Sequence, residues 1–277
     1  MTVTLIAFDL DGTLLDNSKH IPPDNLRALY AAHEAGIPLV PATGRILKGM
    51  PAELMETGLF RYFIFSNGAV VYDLQEDRVI HRAEIDPALA VEVCRYFDTL
   101  PVLYDCYRDG FGYMTESMLG RLDAYFGREP EIRKLVERLR KPVPELKADI
   151  LRVGRPLEKM QAYFRPQDEA LRQQQFGEIA ARFPALAASS STSNNIELNS
   201  ALAGKGNALR MLCSLLGVDP AGSVAFGDGL NDRGMLLAAG RGCAMGNASE
   251  EIKKCADVTV ETNCDAGVGK EIFRLLG

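Results

Sequence analysis

Towards both ends of the chain, short apolar runs stop abruptly at small or acidic residues and alternate with stretches whose apolar positions recur at helical spacing. Val3 to Phe8 is apolar and β-branched and ends at Asp9-Leu10-Asp11-Gly12, which predicts a buried strand delivering its last residues to a loop. Asp24 to Ala35 has helical spacing, and Gly36 is placed as its stop. Pro38 to Ala42 predicts a second strand ending at Thr43-Gly44-Arg45, and Tyr62 to Ser66 a third ending at Asn67-Gly68. Strand, helix, strand in that order predicts a parallel sheet. The pattern resumes late: Lys205 to Leu216 reads as a helix, Ser223 to Phe226 as a strand ending in Gly227-Asp228, and Gly242 to Met245 and Val258 to Val260 as further strands.

Between these regions the texture changes. From Val79 to roughly Leu198, helices such as Pro87 to Phe97 and Asp168 to Phe183 alternate with strands of alternating polarity. Leu103 to Tyr107 and Tyr113 to Glu116, linked through Asp109-Gly110, predict a hairpin. Asp149 to Val153, Met160 to Phe164 and Ala185 to Ser191 read as further strands. The whole predicts an α/β fold: a Rossmann-like three-layer core with a parallel sheet from residues 1–82 and 199–277, interrupted by an inserted α+β domain over residues 83–198.

Composition narrows the functions. The 277 residues are 47% hydrophobic and 25% charged, enough to bury a core and divide into two domains. A net charge of −6 gives no general attraction to nucleic acid or anionic membrane, so the expected partner is small. The opening segment has no basic n-region, and no run of about 18 apolar residues occurs, so the cytoplasm is the expected compartment. The six cysteines form no CxxC pair and histidine occurs three times, leaving little material for zinc or a Ser-His-Asp triad.

Chemistry concentrates at the predicted strand ends, where open α/β sheets bind ligands. Asp9 and Asp11 flank one residue after the first strand, and Gly12 allows a tight turn that brings backbone N–H groups towards an anion. Alone, an Asp-Gly after a strand is a common turn. Thr43 ends the second strand, Lys205 opens a helix, and Gly227-Asp228-Gly229-Leu230-Asn231-Asp232 ends another strand, so a hydroxyl, an ammonium and an acid pair recur at equivalent places. Each has a plain rival: Thr43 or Asp232 as a helix N-cap, Lys205 as a solvated lysine. Their joint occurrence in this order argues against those readings.

That order resembles the four motifs of the haloacid-dehalogenase superfamily, and the insert resembles the type-IIB cap of its Cof-type phosphatases. Ser66 to Ala69, Ala244 to Ala248, Ala256-Asp257 and Gly267-Val268 are similar to the same subfamily. The resemblance implies a phosphohydrolase in which Asp9 is the nucleophile and Asp11 the general acid and base. It further implies that Thr43 and Lys205 bind phosphoryl oxygens. Asp232 would orient the site, and Asn231 would touch phosphate. Asp9, Asp11 and Asp228 would hold a metal. An acidic cluster of this kind could not ionise fully without a cation, and oxygen-only ligands beside a phosphate favour Mg2+. Gly44, Arg45 and Asn67, near the same strand ends, are candidates for substrate contact.

The expected substrate is a small phosphorylated metabolite such as a sugar phosphate, turned over through an aspartyl-phosphate on Asp9. A phosphomutase with the same machinery is the alternative within the superfamily, separable by its product. A catalytically idle sensor of a phosphorylated metabolite is the alternative outside it, although such a protein usually loses a motif residue and here every one is present. Neither the physiological substrate nor the oligomeric state follows from the sequence.

Overall fold

The computed structural model describes residues 2–127 and 130–277. They form two compact units: one comprises the chain up to Arg45, Met50–Arg82 and Gly204–Gly277, the other Ile46–Gly49 and Ala83–Ala203.

In the first unit the apolar runs pair as a five-stranded parallel sheet, in the order Val258–Thr259, Arg241–Ala244, Ser223–Gly227, Leu5–Phe8 and Leu39–Pro41. Leu5–Phe8 is buried along its whole length, as a strand covered on both faces must be. Leu5 and Ala7 share a core with Leu209, Leu212 and Leu236 from the helices Lys205–Leu216 and Arg233–Ala238. Phe8, pointing to the other face, packs on Phe60 with ring centroids 5.9 Å apart. Because Phe8 pairs with Phe226 in register, the chain leaves the sheet at Asp9 and at Asp228 side by side.

The first helix, Pro23–Glu34, carries proline at its start, where the missing N–H costs nothing, and Gly36 beyond its end takes φ 75°. It packs on the last helix, Gly267–Leu276, through Asn25: its Oδ1 accepts the Gly269 N–H at 2.7 Å, and its Nδ2 donates to the Leu14 carbonyl at 3.0 Å. No helix among the described residues is long and apolar enough to cross a membrane.

Tyr62–Phe65 departs from the parallel arrangement expected of it. It meets the main sheet through one parallel bridge, Ala42 to Ile64, and otherwise pairs antiparallel with Val70–Asp73, which pairs in turn with Arg78–Arg82. The Ser66–Gly68 turn reverses the chain at once and leaves no crossover helix to return the next strand parallel.

The second unit holds a six-stranded sheet in the order Leu186–Ser189, Asn195–Ser200, Lys159–Tyr163, Leu103–Arg108, Phe111–Thr115 and Arg140–Val143, antiparallel except for the last pair. The expected hairpin is present, with Asp109 and Gly110 at φ 54° and 70° supplying the positive values that a tight hairpin turn needs. One sheet face carries Tyr104, Cys106, Met160, Ala162, Ile196 and Leu198 into an apolar core with the helices Pro87–Phe97 and Glu169–Arg182. Alternation puts Asp105, Tyr107, Gln161, Tyr163 and Glu197 on the opposite face, where Arg140 Nε meets Asp105 Oδ2 at 2.7 Å and Lys159 Nζ meets Glu197 Oε1 at 3.1 Å.

Asp149 to Val153, expected as a strand, belongs to a helix, Leu146–Val153. Caps decide it. The Glu145 side chain accepts the Lys147 and Ala148 N–H groups, Gly154 closes the end at φ 64°, and Leu146 and Ile150, four residues apart, both face the core. The strand Asn195–Ser200 has no apolar run to announce it, because its inward residues alternate with buried polar ones.

Candidate active site

Four loops at the carboxyl ends of the parallel strands bring most of the expected residues together. At the centre is Lys205, 1% exposed, whose Nζ donates to Asp9 Oδ1 at 2.5 Å and to Asp232 Oδ1 at 2.6 Å. A lysine so buried is tolerated only because carboxylates meet it on both sides. Asp232 turns its Oδ2 back to accept the N–H groups of Asp228 and Gly229 at 3.0 and 2.9 Å, so it binds its own loop rather than capping the helix after it. Asp228 Oδ1 accepts from Thr13 Oγ1 at 3.0 Å. Gly12, at φ 87°, lies so close above Asp228 that a Cβ there would fall 2.5 Å from Asp228 Oδ2.

Thr43 is buried, with its N–H on the Ile64 carbonyl at 2.8 Å and its Oγ1 accepting the Arg45 N–H at 3.1 Å. Asn231 Nδ2 donates to Asn67 Oδ1 at 3.1 Å. Asp11 lies outside the carboxylate group formed by Asp9, Asp228 and Asp232. Arg45 clasps it from Nε and Nη2 at 2.7 and 2.8 Å, and Lys19 Nζ reaches it at 2.7 Å.

Electrostatics follows from this arrangement. Burial pushes Asp9 up to about 8, with repulsion from Asp232 and Asp228 adding to it and the Lys205 ammonium only partly offsetting it. Burial, then repulsion from Asp232, pushes Asp228 up to about 6. For Asp11 burial acts in the same sense, but the hydrogen bonds and charges of Arg45 and Lys19 outweigh it and hold the carboxyl well below the usual carboxylate range.

A stability profile follows for the metal-free protein. Above pH 4 the unfolded chain has released the protons of Asp9 and Asp228 while the folded chain keeps them, until about pH 6 for Asp228 and about pH 8 for Asp9. Folding stability is therefore expected to fall as pH rises from 5 to 8, on the order of a kcal/mol per pH unit and more steeply below about pH 6, where both groups hold protons only in the folded chain. Denaturant unfolding at several pH values in EDTA checks it, and a flat or rising profile would contradict it.

The acid groups fit a hard divalent cation. Asp9, Asp228 and Asp232 each offer an oxygen within 4.8 Å of the others, and every donor is a carboxylate. Both oxygens of Asp232 are already engaged by Lys205 and by backbone N–H groups. Asp9 and Asp228 are each held at Oδ1 by one side-chain donor and keep lone pairs for a metal, and Asp9 Oδ2 makes no hydrogen bond to the described residues.

Three further polar residues stand at the site with no strong signal in the sequence. Lys19 follows Asp11 by eight positions in a loop pinned by Asp16, whose Oδ1 accepts the Ser18 and His20 N–H groups, and no spacing rule marks it. Thr13 directly follows Gly12, and a lone hydroxyl there carries no spacing signal of its own. Asn247, within Ala244 to Ala248, donates from Nδ2 to the Gly12 carbonyl at 2.8 Å and accepts the Asn263 N–H at 3.0 Å, fastening the Asp9–Gly12 loop from the far end of the chain.

A family profile described as haloacid dehalogenase-like hydrolase matches residues 6–272. Phosphatase YwpJ of Bacillus subtilis (strain 168) is 31% identical over 294 residues, spanning 98% of this chain and 99% of its own. Pyridoxal phosphate phosphatase YbhA of Escherichia coli (strain K12) is 27% identical over 274 residues, spanning 99% and 98%. Among solved structures, the HAD subclass IIB sugar phosphatase BT4131 has a TM-score of 0.80 and 20% identity across 98% of both chains, a likeness of fold.

Proposed function

The chain belongs to the haloacid dehalogenase-like hydrolase family and is a phosphatase, and from that premise we propose that it is a magnesium-dependent hydrolase of small phosphomonoesters working through a phosphorylated Asp9. The observation that carries the reading is the buried Lys205, which fixes Asp9 by Oδ1 and leaves Oδ2 as the oxygen able to attack.

In this mechanism Asp9 Oδ2 attacks phosphorus in line with the departing oxygen. The Lys205 ammonium offsets the charge that would otherwise repel the phosphoryl group, and the Thr43 hydroxyl and Asn231 amide bind its oxygens. As the P–O bond to the leaving group breaks, Asp11, as the acid, gives its proton to the departing alkoxide. Water then attacks the Asp9-bound phosphorus, Asp11 as carboxylate takes its proton, and the bond to Asp9 breaks to free phosphate. Free of substrate, Asp11 is held as a carboxylate by Arg45 and Lys19, so the first step needs that clasp loosened. In the proposed cycle Arg45, with Gly44, meets the incoming substrate as Asp11 is released.

Asp9, Asp228 and the Asp11 backbone carbonyl would hold Mg2+, which supplies charge neutralisation between nucleophile and phosphoryl oxygens when bound. The unit of residues 1–45, 50–82 and 204–277 is the catalytic core in this proposal, in place of the expected boundary at 198/199, and the inserted residues 83–203 form the cap that sets substrate choice. Cytoplasmic metabolites of the sugar phosphate or pyridoxal phosphate kind are the substrate class, the latter because the E. coli relative is named for it.

The test is phosphate release from a panel of sugar, nucleotide and cofactor monoesters with Mg2+ or EDTA, beside thermal unfolding in the same buffers. The expected result is Mg2+-dependent release of free phosphate, with Mg2+ raising the unfolding temperature more at pH 8 than at pH 5, where protons compete for Asp9 and Asp228. Release indifferent to EDTA would overturn the metal assignment, and transfer of phosphate to a second sugar without free phosphate would make the enzyme a mutase.

A further inference from the structure

The Ser66–Gly68 turn is strained, buried and connected to three strand-end segments. Ser66 and Asn67 take φ 50° and 58°, and both are buried. A left-handed backbone costs a residue with a side chain about 1–2 kcal/mol, and two in succession persist only where the surroundings over-determine them.

Those surroundings are specific. The Asn67 N–H donates to the Thr43 carbonyl and the Ser66 N–H to the Arg45 carbonyl, both at 3.0 Å. Asn67 Oδ1 accepts Asn231 Nδ2 at 3.1 Å and lies against Gly44, where a Cβ would stand 2.8 Å from that oxygen. Gly68, at φ 98°, packs backbone against backbone on Gly204, where a Cβ would fall 2.4 Å from the carbonyl carbon of the residue preceding Lys205. One turn therefore braces the segment bearing Thr43, the start of the Lys205 helix and the loop bearing Asn231.

Resting on the phosphatase reading, we propose that Asn67 is a positioning residue: its side-chain carbonyl fixes Asn231 while its left-handed backbone sets the Thr43 segment, so that the phosphate-binding groups are in register before substrate arrives. Asparagine suits the task, since it tolerates the left-handed region better than most residues and brings the acceptor that Asn231 needs. Its effect falls on the chemical step, because a binding group displaced by about an ångström loses alignment with the transition state more than ground-state affinity.

The test is a double-mutant cycle of Asn67→Gly and Asn231→Ala. Glycine keeps both backbone hydrogen bonds and relieves the strain, so Asn67→Gly is expected to unfold at the same temperature as wild type or higher. Its kcat should nonetheless fall about tenfold with KM changed less than about twofold. Asn231→Ala, which also removes an amide that binds the phosphoryl group, should lose at least as much, and the double variant should be no worse than Asn231→Ala alone, since Asn67 acts through Asn231. Wild-type kcat in Asn67→Gly, or losses that multiply in the double variant, would overturn the proposal. Asp9→Asn is run beside them: activity surviving that substitution counts against the phosphatase mechanism, whereas Asp9-dependent activity unaltered by Asn67→Gly counts against this inference alone. Wild type without activity overturns both.

Discussion

Asp9→Asn is expected to give a folded protein whose turnover has fallen by about ten-thousandfold or more, the scale at which removal of a nucleophile acts when oriented binding groups remain. An amide cannot displace a phosphoester oxygen as a carboxylate does, yet its oxygen can still accept the Lys205 hydrogen bond, now made by Asp9 Oδ1 at 2.5 Å. The substitution removes no methylene and opens no cavity. It also removes a charge that the fold resists, because burial pushes Asp9 to about 8. The metal-free variant should therefore be at least as stable as wild type at pH 8 and show a flatter decline of stability between pH 5 and 8. Phosphate release and denaturant unfolding measure the two halves. Near-wild-type turnover would sink the aspartyl-phosphate mechanism, and a large loss of stability would mean that Asp9 contributes to folding as an anion.

Lys205→Met should damage both activity and stability. Methionine fills similar space, but Asp9 and Asp232 lose the ammonium that stands 2.5 and 2.6 Å from them and become buried carboxylates facing one another. Removing one member of such a buried set costs about 3–5 kcal/mol. The sign of its pH dependence follows from which state keeps protons. Without the ammonium, burial and the neighbouring charge of Asp232 hold the folded-state pKa of Asp9 still further above its unfolded value. The folded variant thus binds protons that the unfolded chain has released, and the penalty is greatest at pH 8 and shrinks towards pH 5. Urea unfolding of the variant and wild type at pH 5.5 and 8 tests this, with phosphate release expected to be lost at both. A penalty equal at the two pH values would show that Lys205 stabilises by packing rather than by offsetting charge.

The two substitutions act on one linkage from opposite ends, and their contrast is diagnostic. Asp9→Asn removes a costly charge and leaves its partner with Asp232; Lys205→Met removes the charge that makes two others tolerable.

Much of this was open to a reader of the residues. The apolar run into Asp9, the Thr43 and Asp228 strand ends and the helix opening at Lys205 lie where local rules place them, because a buried parallel strand needs a continuous apolar run and must end where the polarity changes. Order along the chain then fixed which residues share an edge. Regions with mixed signals were harder. Asp149 to Val153 has a β-branched, apolar pattern, and its helix is settled by Glu145 and Gly154 on either side. Tyr62–Phe65 reads as any other sheet strand, and its antiparallel partner depends on a turn whose left-handed residues the sequence does not announce.

The sequence by itself determined the parallel core, the acidic and basic residues at its strand ends and the class of chemistry they can support, since these depend on periodicity, on side-chain type and on sequential strands lying side by side. Tertiary structure alone decided how those groups are charged and held. That Asp9 is pushed up while Asp11 is held down depends on burial and on the distances to Lys205, Arg45 and Lys19. That Asn67 meets Asn231, 164 positions along the chain, and that Asn247 fastens Gly12 across 235, depends on packing between segments with no local relation. Charge interactions and hydrogen bonds act over a few ångströms of space, and only the folded chain sets those distances.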